Sequence, residues 1–287
     1  MAGIARSGYY RYIAQEDKVS EKELRDQADF QLILAAFEHR GYDKGVWGIH
    51  MRLLRMGILM NHKKIRRLMR KYELQCPIRK ANPYRRMAKA IRTNAVADNL
   101  VKREFREHGP RKILLTDITY IPYNDTFCYL SVILDACTKQ SLAYQLSTSL
   151  EVDFVLETVK QLFSNHGFTL SDNTLIHSDQ GCHYTSISFR ELIQDVGLRQ
   201  SMSRKGNCWD NAPQESFFGH MKQELKKYVE KWKAFEDVKK SIDDWMDYYN
   251  NDRYQLGLQK MSPNEYYQYL TTGKYPVFMP GMEERLK

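Results

Sequence analysis

Three acidic residues stand in surroundings that would expose a carboxylate: Asp117 in LLTDITY, Asp179 in IHSDQG and Glu215 in NAPQES. The last two are separated by 35 residues. Carboxylate oxygens without a Cys/His quartet favour a hard divalent cation such as Mg²⁺ or Mn²⁺. Two such ions, about 3.5–4 Å apart, clamp the attacking and leaving oxygens of a phosphoryl displacement. The three positions therefore predict a metal site for phosphodiester chemistry.

Each carboxylate also has a structural explanation. Asp117 lies within an apolar strand, where a buried carboxylate is costly without a partner, so a salt bridge is one alternative. Asp179 precedes Gly181, and an aspartate there could simply form a turn. Glu215 lies in the first turn of a helix, where the helix dipole favours an acid. A strand centre, a strand end and a helix start can meet at one sheet edge, which favours the metal site for all three together.

The elements that must position these residues follow an α/β pattern. The first three predicted strands have connections of hairpin length, and the last two are separated by helices, so we expect the later strands to be parallel. The predicted strands cover 112–120, 127–136, 140–147, 174–177 and 198–201. Glu215 is expected on a helix from about Pro213 to Tyr228, with the proline in its first turn. The pattern predicts a mixed five-stranded sheet with helices.

The amino-terminal part of the chain is strongly basic. Residues 1–110 contain 24 Lys/Arg and 12 Asp/Glu, whereas residues 111–287 contain 20 and 23. From Lys44 to Arg92 there are 15 basic residues and one acidic residue, Glu73. Ordinary solvated surfaces mix the two signs. The excess indicates a nucleic-acid-binding module joined to a second domain.

This basic part contains an all-α pattern. Helices are predicted over 29–40, 46–56 and 62–72, with a turn at Gly57 and Asn61 as the N-cap of the last helix. Helix, short turn, helix is the layout of a helix-turn-helix. The last helix suits a major groove, with an ordinary charged helix face as the alternative. The residues expected to bind DNA are Lys63, Lys64, Arg66, Arg67 and Arg70, followed in an extended linker by Arg79, Lys80, Arg85 and Arg86.

Other classes of protein lack support in the sequence. The five cysteines form no CxxC pair, so neither a disulfide framework nor a structural zinc site is expected, and a reducing cytosol fits best. No apolar run approaches the roughly 20 residues of a membrane span. The amino terminus has no signal-peptide pattern. We therefore expect no membrane partner.

Long stretches of the chain resemble one family. They are TDITYIP (116–122), YLSVILD (129–135), HSDQGCHYTS (177–186), SMSRKGNCWDNAPQESFFGHMKQEL (201–225) and YYNNDRYQLGLQKMSPNEY (248–266), together with the opening IARSGYYRY and the segment RGYDKGVWGIHMRLLRMGILMNHKKIRRLMRKYEL. In this order they resemble the transposase of the insertion sequence 3 family, in its downstream-frame (OrfB) portion. The resemblance implies a ribonuclease-H-like integrase catalytic core, and the 35-residue interval matches the family's DD(35)E arrangement.

The resemblance also implies roles for single residues. Asp117, Asp179 and Glu215 would form the catalytic, metal-binding triad, with two Mg²⁺ or Mn²⁺ ions. Lys222 lies seven residues after Glu215, on nearly the same helix face, and would contact donor DNA, with a solvated lysine as the alternative. We interpret Trp209 and Asp135 as structural, Asp135 as a cap of the turn after the second strand. The tyrosines of 248–269 are expected to pack against the core rather than to stack on bases.

The expected domains are a helical segment (1–27), a helix-turn-helix domain (28–75), a basic linker (76–108), the integrase core (109–271) and a tail (272–287). The resemblance implies a transposase in the bacterial cytoplasm, associated with the nucleoid. It would bind terminal inverted repeats and target DNA as a dimer or higher oligomer. It would cleave at the 3′ end of the element and join that end to DNA by transesterification.

Two other functions stay open at this point. One is a simple metal-dependent nuclease with the same core, and the other is a non-catalytic DNA-binding regulator. Family members usually act as a fusion whose upstream part supplies another helix-turn-helix and a leucine zipper. No heptad run precedes IARSGYYRY. We therefore expect the chain to be a downstream-frame product with an upstream-frame partner, or a part of such a fusion.

Overall fold

The computed structural model describes residue 10 and residues 21–76, 108–203 and 211–276. The chain divides into two compact units, Met1–Ile78 and Arg79–Lys287. The predicted DNA contacts Arg79, Lys80, Arg85 and Arg86, like Trp209, lie outside the described residues. Within the described ranges, no helix is long and apolar enough to cross a membrane. The domain limits given above remain a prediction.

The first unit consists of three helices, α1 (Glu21–Glu38), α2 (Val46–Arg55) and α3 (His62–Lys71), with a 3₁₀ turn at His39–Gly41. Their apolar faces meet in a core whose fully buried members are Ile33, Ala36, Ile49, Leu53, Ile65 and Leu68. The predicted second and third helices are confirmed. Helix α1, however, begins at Glu21 and runs across position 27, where the sequence analysis ends a separate segment.

The turns of this unit follow the predicted signals. Asn61 caps α3, because its side chain accepts a hydrogen bond from the Lys63 backbone N–H at 2.8 Å. Gly57 closes the turn before it at a φ of +74°, a backbone conformation that favours glycine. Lys44 is buried, and its ammonium group donates to the backbone carbonyls of Phe37, His39 and Tyr42. Lys44 therefore stabilises the connection between α1 and α2 by binding its backbone carbonyls.

The second unit is built on a five-stranded sheet. Its strands are β1 (Ile113–Tyr123), β2 (Thr126–Asp135), β3 (Ser141–Ser147), β4 (Leu175–Ser178) and β5 (Arg199–Met202). They lie in the order β3-β2-β1-β4-β5. The first three strands pair antiparallel, whereas β4 is parallel to β1 and β5 is parallel to β4. The prediction of a mixed five-stranded sheet is confirmed.

The helices of this unit are α4 (Asp153–His166), α5 (Cys182–Thr185), α6 (Ile187–Asp195), α7 (Ala212–Leu225), α8 (Phe235–Asn251) and α9 (Pro263–Thr272). Leu114 of β1 belongs to a core cluster with residues of α4 and α6. Asp117 lies three residues further along the strand and so faces the other side of the sheet. On that side, α7 packs near β1 and β2.

The segment after α7 anchors that helix and covers the outer strand. Phe217 of α7 packs edge-to-face against Trp245 and Tyr249 of α8, at centroid distances of 5.3 and 4.7 Å. The predicted packing of segment 248–269 against the core is confirmed for Tyr248 and Tyr249, which are buried. The Asn250 side-chain amide pairs with both backbone groups of Ser141 in β3, at 2.8 and 3.0 Å. Helix α8 thus belongs to the same unit as the sheet.

Candidate active site and DNA-binding helix

Two of the predicted catalytic carboxylates lie on neighbouring strands. The parallel register of β1 and β4 sets Leu115 beside His177. Asp117 and Asp179 each lie two residues beyond this pair, at the same end of the two strands. The strand pairing therefore brings Asp117 and Asp179 together, as the sequence analysis expects for residues at a common sheet edge.

The third carboxylate comes from the first turn of α7. Gln214, the residue before Glu215, donates from its side-chain amide to the backbone carbonyl of Val132 at 3.4 Å. Val132 is the partner of Asp117 in the β1–β2 register. The start of α7 therefore lies over the strand position that carries Asp117. At its other end α7 is held through Glu224, which accepts hydrogen bonds from Arg253 and Trp245.

Local backbone contacts orient two of the carboxylates. Asp117 accepts a hydrogen bond from the Ile118 N–H at 2.8 Å, and Asp179 accepts one from the Gly181 N–H at 2.9 Å. The turn-forming alternative for Asp179 thus describes its local geometry. A Cβ atom at position 181 would lie 2.9 Å from the Asp179 Oδ1. A side chain at position 181 would therefore displace the Asp179 carboxylate from its present position.

The site is coupled electrostatically. Burial raises the pKa of Asp117 to about 7, and the charges of Asp179 and Glu215 raise it as well, whereas the Ile118 N–H and Lys222 lower it. Burial lowers the pKa of Lys222, and the charge of Asp117 opposes this shift. Burial, together with Asp117 and Asp179, raises the pKa of Tyr184, whose hydroxyl lies 3.4 Å from the Thr116 Oγ1. Asp179, Glu215 and Lys222 therefore all act on the charge of Asp117.

Asp117, Asp179 and Glu215 lie near the same edge of the sheet, but they do not form a complete set of metal ligands. In the described part of the chain, no three His, Cys, Asp or Glu side chains form a group that could hold a metal ion. The donor chemistry nevertheless fits a hard cation, because the three acids offer only oxygen ligands. Asp117 is also half-buried beside two further carboxylates, an arrangement that a divalent cation would stabilise.

Asp135 is structural, as predicted. Its Oδ1 accepts from the backbone N–H groups of Cys137 and Thr138, which caps the turn after β2. Its Oδ2 accepts from the Arg111 side chain at 2.7 Å and from the Arg111 backbone at 2.9 Å. The arginine, which also stacks over Tyr267, has no counterpart in the sequence analysis. Its pairing joins residues 24 positions apart, so no local pattern signals it.

The predicted DNA-binding residues of α3 fall into two groups. Arg67 binds Asp26 of α1 through two hydrogen bonds of 2.8 and 2.7 Å, and Lys64 forms an ion pair with Asp29. Lys63, Arg66 and Arg70 are exposed, and so is Arg67, so the two groups differ in ion pairing and not in exposure. The sequence of α3 alone does not separate these five residues, because the acidic partners lie on α1.

Comparison with known proteins supports both units. Residues 107–208 and 196–263 each match a family model described as an integrase core domain, and residues 23–82 match an HTH-like domain. An uncharacterised transposase-like protein of Haemophilus influenzae is 34% identical over 74% of this chain and 95% of its own length. The putative transposase InsK for insertion sequence element IS150 of Escherichia coli is 30% identical over 92% of this chain and 90% of its length. The chain belongs to the insertion sequence 3 family of transposases.

This transposase therefore combines an integrase-type catalytic core of ribonuclease-H-like fold with an HTH-like domain that binds DNA. A further relative is the putative transposase for insertion sequence element IS986/IS6110 of Mycobacterium tuberculosis, which is 30% identical over 87% of this chain and 90% of its length. Among solved structures, the HTLV-2 integrase catalytic core domain with magnesium covers 55% of this chain and 97% of its own, with 16% identity and a TM-score of 0.43.

Proposed function

We propose that this transposase uses Asp117, Asp179 and Glu215 as its catalytic triad. Water would attack a phosphodiester at the element end, so that a new P–O bond to the water oxygen forms as the P–O3′ bond breaks, which frees a 3′-hydroxyl and leaves a 5′-phosphate on the flanking DNA. That hydroxyl then attacks a second phosphodiester, so that one P–O bond forms as another breaks and the leaving 3′-oxygen takes up a proton. The observation that carries the proposal is the parallel β1–β4 register, with the start of α7 held against β2 by Gln214.

The three carboxylates would hold two Mg²⁺ or Mn²⁺ ions, because their oxygen atoms suit hard cations. Such ions supply Lewis-acid stabilisation of the attacking and leaving oxygens. The chain's own contribution is placement. The Ile118 N–H orients Asp117, the Gly181 N–H orients Asp179, and the aromatic contacts of Phe217 fix the helix that carries Glu215. Lys222, which influences Asp117 electrostatically, would draw a DNA phosphate to the site.

The DNA substrates would be the terminal inverted repeats of an insertion sequence and a target duplex. Because two ends must be held together, the active species would be a dimer or higher oligomer, with an upstream-frame partner or fusion supplying further DNA contacts. This part of the proposal is supported by the relatives, which are named as transposases of insertion sequence elements. A bacterial cytoplasmic, nucleoid-associated location follows from such substrates.

The test is a strand-transfer assay with a labelled, pre-cleaved duplex of the element end and Mg²⁺. The parent chain should give products longer than the substrate. Asp117→Asn, Asp179→Asn and Glu215→Gln should each reduce them by about 10³-fold or more, since each removes several kcal/mol of transition-state stabilisation. Glu191→Gln, at an exposed position of α6, is the matched control and should keep parental activity.

The other outcomes decide between functions. Shortened products without joined ones would identify a nuclease. Binding of DNA without any product, in the parent and the variants alike, would identify a regulator. Joined products at parental levels in a triad variant would reject the triad itself.

A further inference from the structure

Helix α3 carries six basic residues on two adjacent stripes. Lys63, Arg66 and Arg70 form the first stripe, with spacings of three and four residues. Lys64, Arg67 and Lys71 form the second, with the same spacings. Residues three and four apart share a helix face, and a shift of one position rotates the face by about 100°. The remaining face is apolar and lies in the core.

The second stripe is matched by a stripe of acids on α1. Lys64 pairs with Asp29, Arg67 with Asp26, and Lys71 with Asp26 and Glu23 at 3.0 and 2.5 Å. The acids are spaced by three residues, and the pairs succeed one another in opposite order along the two helices. The two stripes together form a neutral set of three cations and three carboxylates, which we call the α1–α3 clamp.

The clamp is anchored by a carboxylate that water barely reaches. Asp26 is only 4% exposed, and it accepts hydrogen bonds from both terminal nitrogens of Arg67 and from Lys71. Moving Arg67 to a DNA phosphate would leave this carboxylate short of partners, and a buried unpaired charge is costly. Within the described part of the chain, a lysine or arginine of the first stripe has no such ion pair to lose when it meets a phosphate.

We propose that α3 contacts DNA through only one of its two basic stripes, formed by Lys63, Arg66 and Arg70, while the clamp keeps the other for joining α1 to α3. The proposal deepens the DNA binding of the HTH-like domain and does not depend on the catalytic triad. Under this proposal Lys64 and Arg67 would not contact DNA, in contrast to the sequence-based prediction. The acids of α1 also limit the affinity for DNA, because they neutralise half of the charge on the helix.

Salt dependence of DNA binding measures the number of phosphate contacts. Each contact contributes about 0.9 to the slope of log affinity against log salt concentration. We would measure binding of the full chain to a random-sequence duplex in EDTA, between about 50 and 200 mM salt. The Lys63→Gln/Arg66→Gln/Arg70→Gln variant should lower the slope by about 2.7. It should unfold at the parental temperature, since it removes no contact of the clamp.

The matched comparison neutralises the clamp instead. Lys64→Gln/Arg67→Gln should lower the unfolding temperature and leave the slope within about 0.5 of the parent. Should that variant fail to fold, Lys64→Gln alone, at a 40% exposed side chain, gives the same comparison for one residue. A slope lowered by about 0.9 for each clamp residue, in a folded variant, would overturn the proposal.

A third arm tests the masking by acids. Asp29→Asn releases Lys64 without touching Asp26, so affinity for the duplex should rise and the slope should increase by up to about 0.9. Arg25→Gln, on the exposed surface of the same helix, is a control for a general change in charge and should slightly reduce affinity. Unchanged or weaker binding by Asp29→Asn would contradict the masking.

Discussion

The three carboxylates of the clamp and the set formed by Asp117, Asp179 and Glu215 lie in opposite electrostatic surroundings. In the clamp, Arg67 and Lys71 hold the pKa of Asp26 well below its usual range. At the sheet edge that carries Asp117, burial raises the pKa of Asp117 to about 7, and the neighbouring acids add to the shift. The charge of Lys222 lowers this pKa but does not offset the effect of burial.

This difference in surroundings separates acids that form structural ion pairs from acids that suit the binding of a metal cation. Where carboxylates are already satisfied by arginine and lysine, a divalent cation gains little by binding. Where a half-buried carboxylate such as Asp117 lies near other acids, a cation relieves an unfavourable charge. The comparison therefore turns on which cations surround an acid, and not on how many acids are close together.

The largest expected change in stability concerns Asp135, a carboxylate of the second unit that is paired with an arginine, as Asp26 is in the clamp. Asp135 is 0% exposed and pairs with Arg111. Arg111→Met should therefore destabilise the chain by about 3–5 kcal/mol, because it leaves a buried charge without its partner. Urea unfolding measures the change, and Glu191→Gln should stay within about 0.5 kcal/mol of the parent. A loss below about 1 kcal/mol would show that Asp135 does not depend on Arg111 in the way that the clamp acids depend on their basic partners.

A smaller effect, of opposite sign, is expected at Asp117 in metal-free buffer. Its folded pKa of about 7 lies above the ordinary value of 3.8, so the folded state binds the extra proton and stability falls as pH rises between these values. The Asp117→Asn side chain does not ionise, so this loss of stability at high pH does not occur in the variant. The variant should therefore be more stable than the parent at pH 8 by on the order of 2 kcal/mol, and equally stable near pH 4.

The clamp supplies the counterpart to that experiment. Asp26→Asn should be less stable than the parent at pH 8. The lowered pKa of Asp26 means that its ionised form stabilises the folded state at every pH above the ordinary pKa of 3.8, and this contribution is lost only in acid. Thermal unfolding in EDTA from pH 4 to 8 measures both variants. Destabilisation by Asp117→Asn at pH 8 would remove the distinction between the two clusters.

The smallest effect is expected at Lys222. Lys222→Gln should reduce strand transfer by about 10-fold, equivalent to about 1.4 kcal/mol, mainly through weaker binding of the DNA substrate. Lys160, an exposed lysine of α4 paired with Glu157, gives the matched Lys160→Gln control. Steady-state kinetics should show a raised KM with a smaller change in kcat. Equal losses in the two variants would assign Lys222 to the solvated surface.

The elements that carry Asp117, Asp179 and Glu215 were predictable from the sequence because their signals are local. An apolar run around Asp117, a glycine after Asp179 and a proline before Glu215 mark a strand, a strand end and a helix start. Helix-turn-helix positions were accessible for the same reason, through Gly57 and the Asn61 cap. The positions of the elements therefore follow from short patterns, whereas their contacts do not.

The start of α1 and the clamp were missed because their causes are distant in sequence. EKELRDQADF has few apolar residues to suggest an amphipathic helix. The acids of the clamp find their partners 35 to 48 residues later. Nothing in α3 alone distinguishes Lys63 from Lys64, since both lie in one basic run. The spacing of Glu23, Asp26 and Asp29 is the signal that could have suggested a facing basic stripe.

The Asn250 amide on Ser141 has a consequence for the behaviour of the protein at high concentration. Strand β3 lies at the outer edge of the sheet, where unpaired backbone groups can recruit a strand from another chain. The amide imitates the missing neighbour by donating one hydrogen bond and accepting another. The Asn250 side chain therefore occupies the backbone N–H and C=O groups of Ser141, which are then not available to a strand of another chain.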